Sequence, residues 1–217
     1  MPTIVWGDLP TSEFALQETF DAVPDAVFES EQVVQNGNDV VMPMLWARAG
    51  DPDELDVALE NDSSVGEVSK LAELDGEVLY RMEWVRQVEL VLQMMLNSNG
   101  SVLDAYGNSE RWRLRIFYPD REELSQTNEF CEEHDLPFEV RRVRDMDSEP
   151  ASRYGLTNEQ YESLKRAWEA GYFDVPRETG IEELAEELDI SHQALSERLR
   201  RGHNTLVENM LGVSVPE

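Results

Sequence analysis

The stretch from Ile181 to Met210, IEELAEELDISHQALSERLRRGHNTLVENM, constrains the chain most, because its apolar spacing and polar punctuation fit two helices with a sharp turn between them. Ile181, Leu184, Ala185 and Leu188 recur at the three-and-four spacing that lines one face of a helix. Thr179, with Glu182 three residues on, predicts a capping box at the start of that helix. Asp189 stands at the turn, and Ser191 supplies the side-chain oxygen that caps a second helix. Leu195, Leu199 and Leu206 are that helix's buried stripe. Two helices joined this tightly form a helix-turn-helix, whose second helix commonly enters the DNA major groove.

Turning about 100° per residue from the Leu195 and Leu199 direction, the outward face carries Gln193, Glu197, Arg200 and Arg201, flanked by Ala194 and Ser196. Gln pairs with adenine, Glu accepts from cytosine, and Arg grips guanine or phosphate. The candidate DNA-binding residues are therefore Ser191, His192, Gln193, Ser196, Glu197, Arg198, Arg200 and Arg201. Gln193, Ser196 and Glu197 are expected to read bases, and the three arginines to hold phosphate or guanine. A charged, merely solvated helix is the bland alternative. Agreement of cap, turn, stripe and arginine cluster outweighs it.

Charge bears on that reading. The chain has 217 residues, 46 acidic against 18 basic, and a formal net charge of -28. Such an excess repels itself at low salt and is screened at high salt, which points to a salty cytoplasm. The acids are dispersed rather than gathered in runs, which argues against a DNA mimic. From Ala151 onward there are 7 basic and 13 acidic residues, against 11 and 33 before it, so the C-terminal part is the less hostile to a polyanion. One cysteine, Cys131, excludes an intramolecular disulfide and suits a reducing compartment. With no transmembrane-length apolar run and no basic-then-apolar signal peptide, the expectation is a cytoplasmic protein that does not engage a membrane.

Residues before the helix-turn-helix read as α+β. Strands are predicted at Thr3–Trp6, Ala26–Val34, Val40–Ala49 and Val65–Leu74. A helix capped by Thr11 or Ser12 follows the first, and Asp51–Asn61 forms the second helix. Asn36-Gly37 is a hairpin signal. The order then recurs: strand Glu77–Trp84, helix Val85–Asn97, a hairpin of Ser101–Tyr106 and Trp112–Tyr118, helix Asp120–His134 and strand Pro137–Arg144. The expected fold is α+β, with two tandem ferredoxin-like βαββαβ units followed by an all-α helix-turn-helix domain. Its boundaries are 1–146 for the tandem units, 147–153 for a linker and 154–217 for the helical domain. That domain opens with a second capping box, Thr157 to Gln160. Its first helix carries Tyr161, Leu164, Ala167 and Trp168, and an aromatic connector, Tyr172, Phe173, Val175 and Pro176, is expected to pack as core.

Through YGLTNEQYESLKRAWEAGYFDVPRE and on through IEELAEELDISHQALSERLRRGHNTLVENML, the chain resembles the haloarchaeal bacterio-opsin activator family of helix-turn-helix transcription regulators. More loosely, the N-terminal region resembles the domain found linked to this module in that family. The resemblance implies a sequence-specific regulator whose DNA-binding helices are similar to those in region four of bacterial sigma factors. Larger members carry sensory PAS or GAF modules, for which this sequence leaves no room. Asp189 stands where the family usually has Gly, and Asp tolerates left-handed backbone.

Other chemistry weighs less. Cys131 and His134 lie three apart on a predicted helix, but two ligands fall short of a zinc site, and Cys131 reads as core. No cofactor, catalytic residue or metal site is predicted, and the chain is not expected to be an enzyme. Met94, Met95, Trp46, Trp84 and Trp112 read as core rather than as a ligand pocket. The acids from Glu182 to Asp189 read as a solvated flank, with RNA polymerase or a basal transcription factor as the alternative contact. Expected partners are double-stranded DNA, a small-molecule effector at the α+β region and a second copy in a homodimer. The rival reading is a protein-interaction or metabolite-binding module that acts on the transcription machinery without reading DNA.

Overall fold

Period-two alternation along strands such as Glu77–Trp84 and Arg111–Tyr118 underlies an eight-stranded sheet, antiparallel at every pairing, among the described residues of a computed structural model. The structure describes residues 1–31, 44–85, 88, 100–146, 151 and 154–211. The chain divides into two units, Met1–Asp145 and Met146–Glu217. In the first, β1 (Thr3–Pro10) leads through a single 3-10 turn (Thr11–Glu13) to α1 (Gln17–Ala22) and β2 (Val27–Ser30). β3 (Met44–Arg48), α2 (Pro52–Asn61), β4 (Val65–Leu74) and β5 (Glu77–Trp84) follow. β6 (Ser101–Gly107), β7 (Arg111–Tyr118), α3 (Arg121–Glu133) and β8 (Glu139–Asp145) complete it. The hairpin turn expected at Asn36-Gly37, most of the helix expected over Val85–Asn97, with Met94 and Met95, and most of the expected linker lie outside the described residues.

The strand order is β4-β5-β3-β2-β6-β7-β1-β8. Two self-contained consecutive units would keep β1 among β2, β3 and β4. Instead β1 is seated between β7 and β8, and β5 between β3 and β4. Alternation along a strand says which residues face the core, but nothing about which neighbour it takes.

The core lies on one side of the sheet. On β7, Trp112, Leu114, Ile116 and Tyr118 are fully buried, while Arg111, Arg113 and Arg115 take the other face. Phe14 meets the Trp112 ring edge-on at 5.5 Å, Phe20 and Phe28 lie at 6.5 Å, and the indole N–H donates to the Ala15 carbonyl at 2.9 Å. Beside them Asp62, at the end of α2, is buried and accepts from the Thr19 N–H at 2.8 Å and the Thr19 hydroxyl at 2.7 Å. Its other oxygen takes the Ser64 N–H at 2.9 Å, so one carboxylate joins the N-terminal turn of α1 to the end of α2.

Three expectations are corrected. Neither Thr11 nor Ser12 caps α1: the Thr11 hydroxyl donates to the Asn108 carbonyl at 2.8 Å, and Leu16, in left-handed backbone with φ 64°, precedes the helix. Trp46 is only half-buried and donates its indole N–H to Glu31, because it stands on the face opposite the core. In the second unit, α4 (Asn158–Glu169), α5 (Ile181–Glu187) and α6 (His192–Leu211) enclose a core of Leu156, Leu164, Ala167, Leu184, Ala185, Leu195 and Leu199. There Trp168 is 73% exposed and Val175 98%, so of the aromatic connector only Tyr172 packs against that core.

Trp112→Ala should lower the unfolding free energy by about 3–5 kcal/mol, read as a shifted denaturant midpoint at unchanged slope. Burial pushes the Cys131 thiol up to about 11. Since only thiolate reacts, alkylation of the folded chain at mildly alkaline pH should run about a hundredfold slower than that of the unfolded chain.

Candidate nucleic-acid interface

Local hydrogen bonding determines how α6 is presented. The predicted box at Thr157 forms in both directions: its hydroxyl accepts from the Gln160 N–H at 3.2 Å, and the Gln160 side chain accepts from the Thr157 N–H at 3.0 Å. The box predicted between Thr179 and Glu182 does not form. Gly180, not Thr179, is the N-cap of α5, so Thr179 stands one position too early and its hydroxyl donates to Glu183 at 2.8 Å instead.

The turn after α5 is a Schellman motif. Asp189 adopts φ 54°, its N–H donates to the Glu186 carbonyl at 3.1 Å, and the Ile190 N–H donates to the Ala185 carbonyl at 3.0 Å. Asp thus fills the left-handed position usually given to Gly. Ser191 then caps α6 as expected, its hydroxyl accepting from the Ala194 N–H at 3.1 Å. Leu195 and Leu199 are buried, and the backbone of α6 comes close to α4 at Gly202, where a Cβ would stand 2.7 Å from Leu164 Cδ1.

With its inner side sealed, α6 turns the opposite side to solvent. Gln193, Glu197, Arg200 and Arg201 are exposed together, with Ser191, His192 and Ser196 exposed at the flanks. Arg201 forms an ion pair with Glu197 one turn earlier on the same helix. Arg200 forms no ion pair with any described residue. Arg198 stands apart, half-buried on the flank nearer α4. There the Glu159 carboxyl is held below its usual range by its own backbone N–H and by Thr157, with a smaller contribution from the Arg198 guanidinium.

One exposed residue escaped the sequence reading. Asn204 lies one turn beyond Arg200 on the outward line, its amide donating to Glu208 at 2.7 Å. Carrying the same angular step beyond Arg201 would have found it. His203 is turned elsewhere, its ring 5.3 Å from Phe173. On the acidic flank, Glu187 accepts from Arg166 at 2.7 Å. Among the described residues no three His, Cys, Asp or Glu side chains are grouped to hold a metal, and no helix is long and apolar enough to cross a membrane.

Gly202→Val should cost the helical unit about 1–3 kcal/mol, because the new side chain must displace Leu164 from a filled core; a thermal or denaturant melt that leaves the midpoint in place would contradict this packing.

Comparison with known proteins accords with the geometry. The family profile described as an HTH DNA binding domain matches residues 156–208, and that described as a GAF and HTH_10 associated domain matches residues 11–157. No curated protein matches the chain. With the associated-domain profile spanning more than half the chain and the DNA-binding profile completing it, the chain belongs to the bacterio-opsin activator-type family of helix-turn-helix regulators.

Proposed function

We propose that the chain is a sequence-specific, non-enzymatic transcriptional regulator that reads double-stranded DNA with the N-terminal half of α6. The observation that carries this reading is the exposed line of Gln193, Glu197 and Arg200, backed by buried Leu195 and Leu199. Gln193 and Glu197 have the donors and acceptors to read base edges, with Ser196 beside them, and Arg200 holds guanine or phosphate. Arg201 orients Glu197 through their ion pair, and Arg198 supports the edge nearest α4. Ser191 and His192 bring the helix N-terminus to the backbone phosphates.

One helix reads few bases, so two copies act on paired half-sites. The α+β unit binds an effector, mediates pairing, or both. Its strand order supports two ferredoxin-like halves that have exchanged their first strands, β1 and β5. The acid excess supports work in a salty cytoplasm. At high salt the counterion contribution to DNA affinity shrinks, so base contacts and shape carry more of the recognition.

In a mobility-shift assay at high salt, Gln193→Ala and Arg200→Ala should each weaken specific binding by about 1–3 kcal/mol, roughly 5- to 150-fold. Unchanged binding in both variants would favour a helical unit that contacts the transcription machinery instead.

A further inference from the structure

Six of the 11 basic residues in the first 150 positions lie on two strands: Arg111, Arg113 and Arg115 on β7, and Arg141, Arg142 and Arg144 on β8. The same 150 positions hold 33 acidic residues, so the concentration runs against the composition. β1 runs between the two strands, and its Trp6 is opposite Arg115 on one side and Arg142 on the other. The guanidinium carbons of Arg142 and Arg144 lie 5.0 and 5.3 Å from the centre of the Trp6 ring.

The two ends of this cluster differ. At one end, buried Asp8 accepts from Arg111 at 3.2 Å and Arg141 at 3.0 Å and lies 3.5 Å from Arg113. Around Trp6 the balance fails. Arg115 has Asp104 at 3.9 Å, but no described carboxylate forms an ion pair with Arg142 or Arg144. Arg144 Nε and Nη1 are shut off from solvent and donate to no described acceptor. Burial, and then the neighbouring Arg142 and Arg115 guanidiniums, pull Arg144 below the usual arginine range. Buried donors without acceptors and crowded like charges both cost free energy, and an anion bound beside the guanidiniums offsets the crowded positive charge.

We propose that the sheet surface around Trp6, with Arg142 and Arg144 as its grip and Arg115 alongside, binds a small anion carrying carboxylate or phosphate groups. Planar guanidinium forks match the paired oxygens of either group. Trp6 holds the two β8 arginines in place by stacking and offers a flat wall to the rest of the ligand. Arg142 is exposed and Trp6 half-buried, so a small molecule reaches this surface from solvent. This names the effector class for the α+β unit in the function proposed above, yet it uses no residue of α6. Loss of either activity leaves the other measurable.

The test uses the full chain at fixed high ionic strength, with inorganic phosphate and citrate as probes against matched chloride, read by calorimetric titration and thermal melting. At least one probe should bind saturably at one site and raise the melting temperature. Arg144→Gln and Arg142→Gln should each weaken that binding at least tenfold, while Arg81→Gln on β5 leaves it unchanged. If Arg144→Gln does not fold, Arg142→Gln carries the test. Absence of saturable binding by both probes, or equal binding by the variants, overturns the proposal. So does a loss of non-specific duplex affinity in Arg142→Gln without any small-anion binding, which would make the patch a nucleic-acid surface.

Discussion

Every second residue of a strand points the same way, and on β7 that single constraint shapes both faces of the first unit. It sends Trp112, Leu114, Ile116 and Tyr118 into a closed aromatic and aliphatic core. By the same geometry it must send Arg111, Arg113 and Arg115 to the opposite face. Slipping the register by one residue would bury three guanidiniums and expose the core, so packing and the placement of positive charge are one choice. The surface around Trp6 is thus a consequence of how the core is built.

Acidic composition leaves a second imprint, in places where a carboxylate is tolerated rather than merely solvated. Asp51 and Asp120 cap α2 and α3, each accepting from two backbone N–H groups of the first turn. Asp62 does similar work for α1 from within the core. Asp75, Asp135 and Asp189 occupy left-handed backbone with φ of 47°, 53° and 54°, a conformation in which Gly is the usual choice. A chain rich in carboxylates can therefore absorb some of them into helix ends and turns. Positive charge, being scarce, is concentrated at β7, β8 and α6.

Much of the helical unit was legible residue by residue, because its signals are local. The Thr157–Gln160 box, the Ser191 cap, the turn at Asp189 and the Leu195–Leu199 stripe each depend on neighbours within a few positions. The same rules misplaced the start of α5 by one residue, since Gly180 can also begin a helix and nothing nearby chooses between it and Thr179. Trp168 shows the other limit. Its spacing fits an apolar stripe, but stripes do not state how wide a partner covers them, and here it is left in solvent.

By itself the sequence determined the faces: which side of β5 and β7 is dry, where the helices stop, and which α6 residues point away from Leu195. Those follow from periodicity and capping, which act over one or two turns. Only the tertiary structure decided the neighbours. Seating β1 between β7 and β8 brought Arg142 and Arg144 to Trp6 across more than 130 residues of chain, and seating β5 beside β3 as well as β4 tied the other end of the sheet together. Strand partnership is settled by the free energy of closing one continuous core, a property of all eight strands together that no single segment encodes.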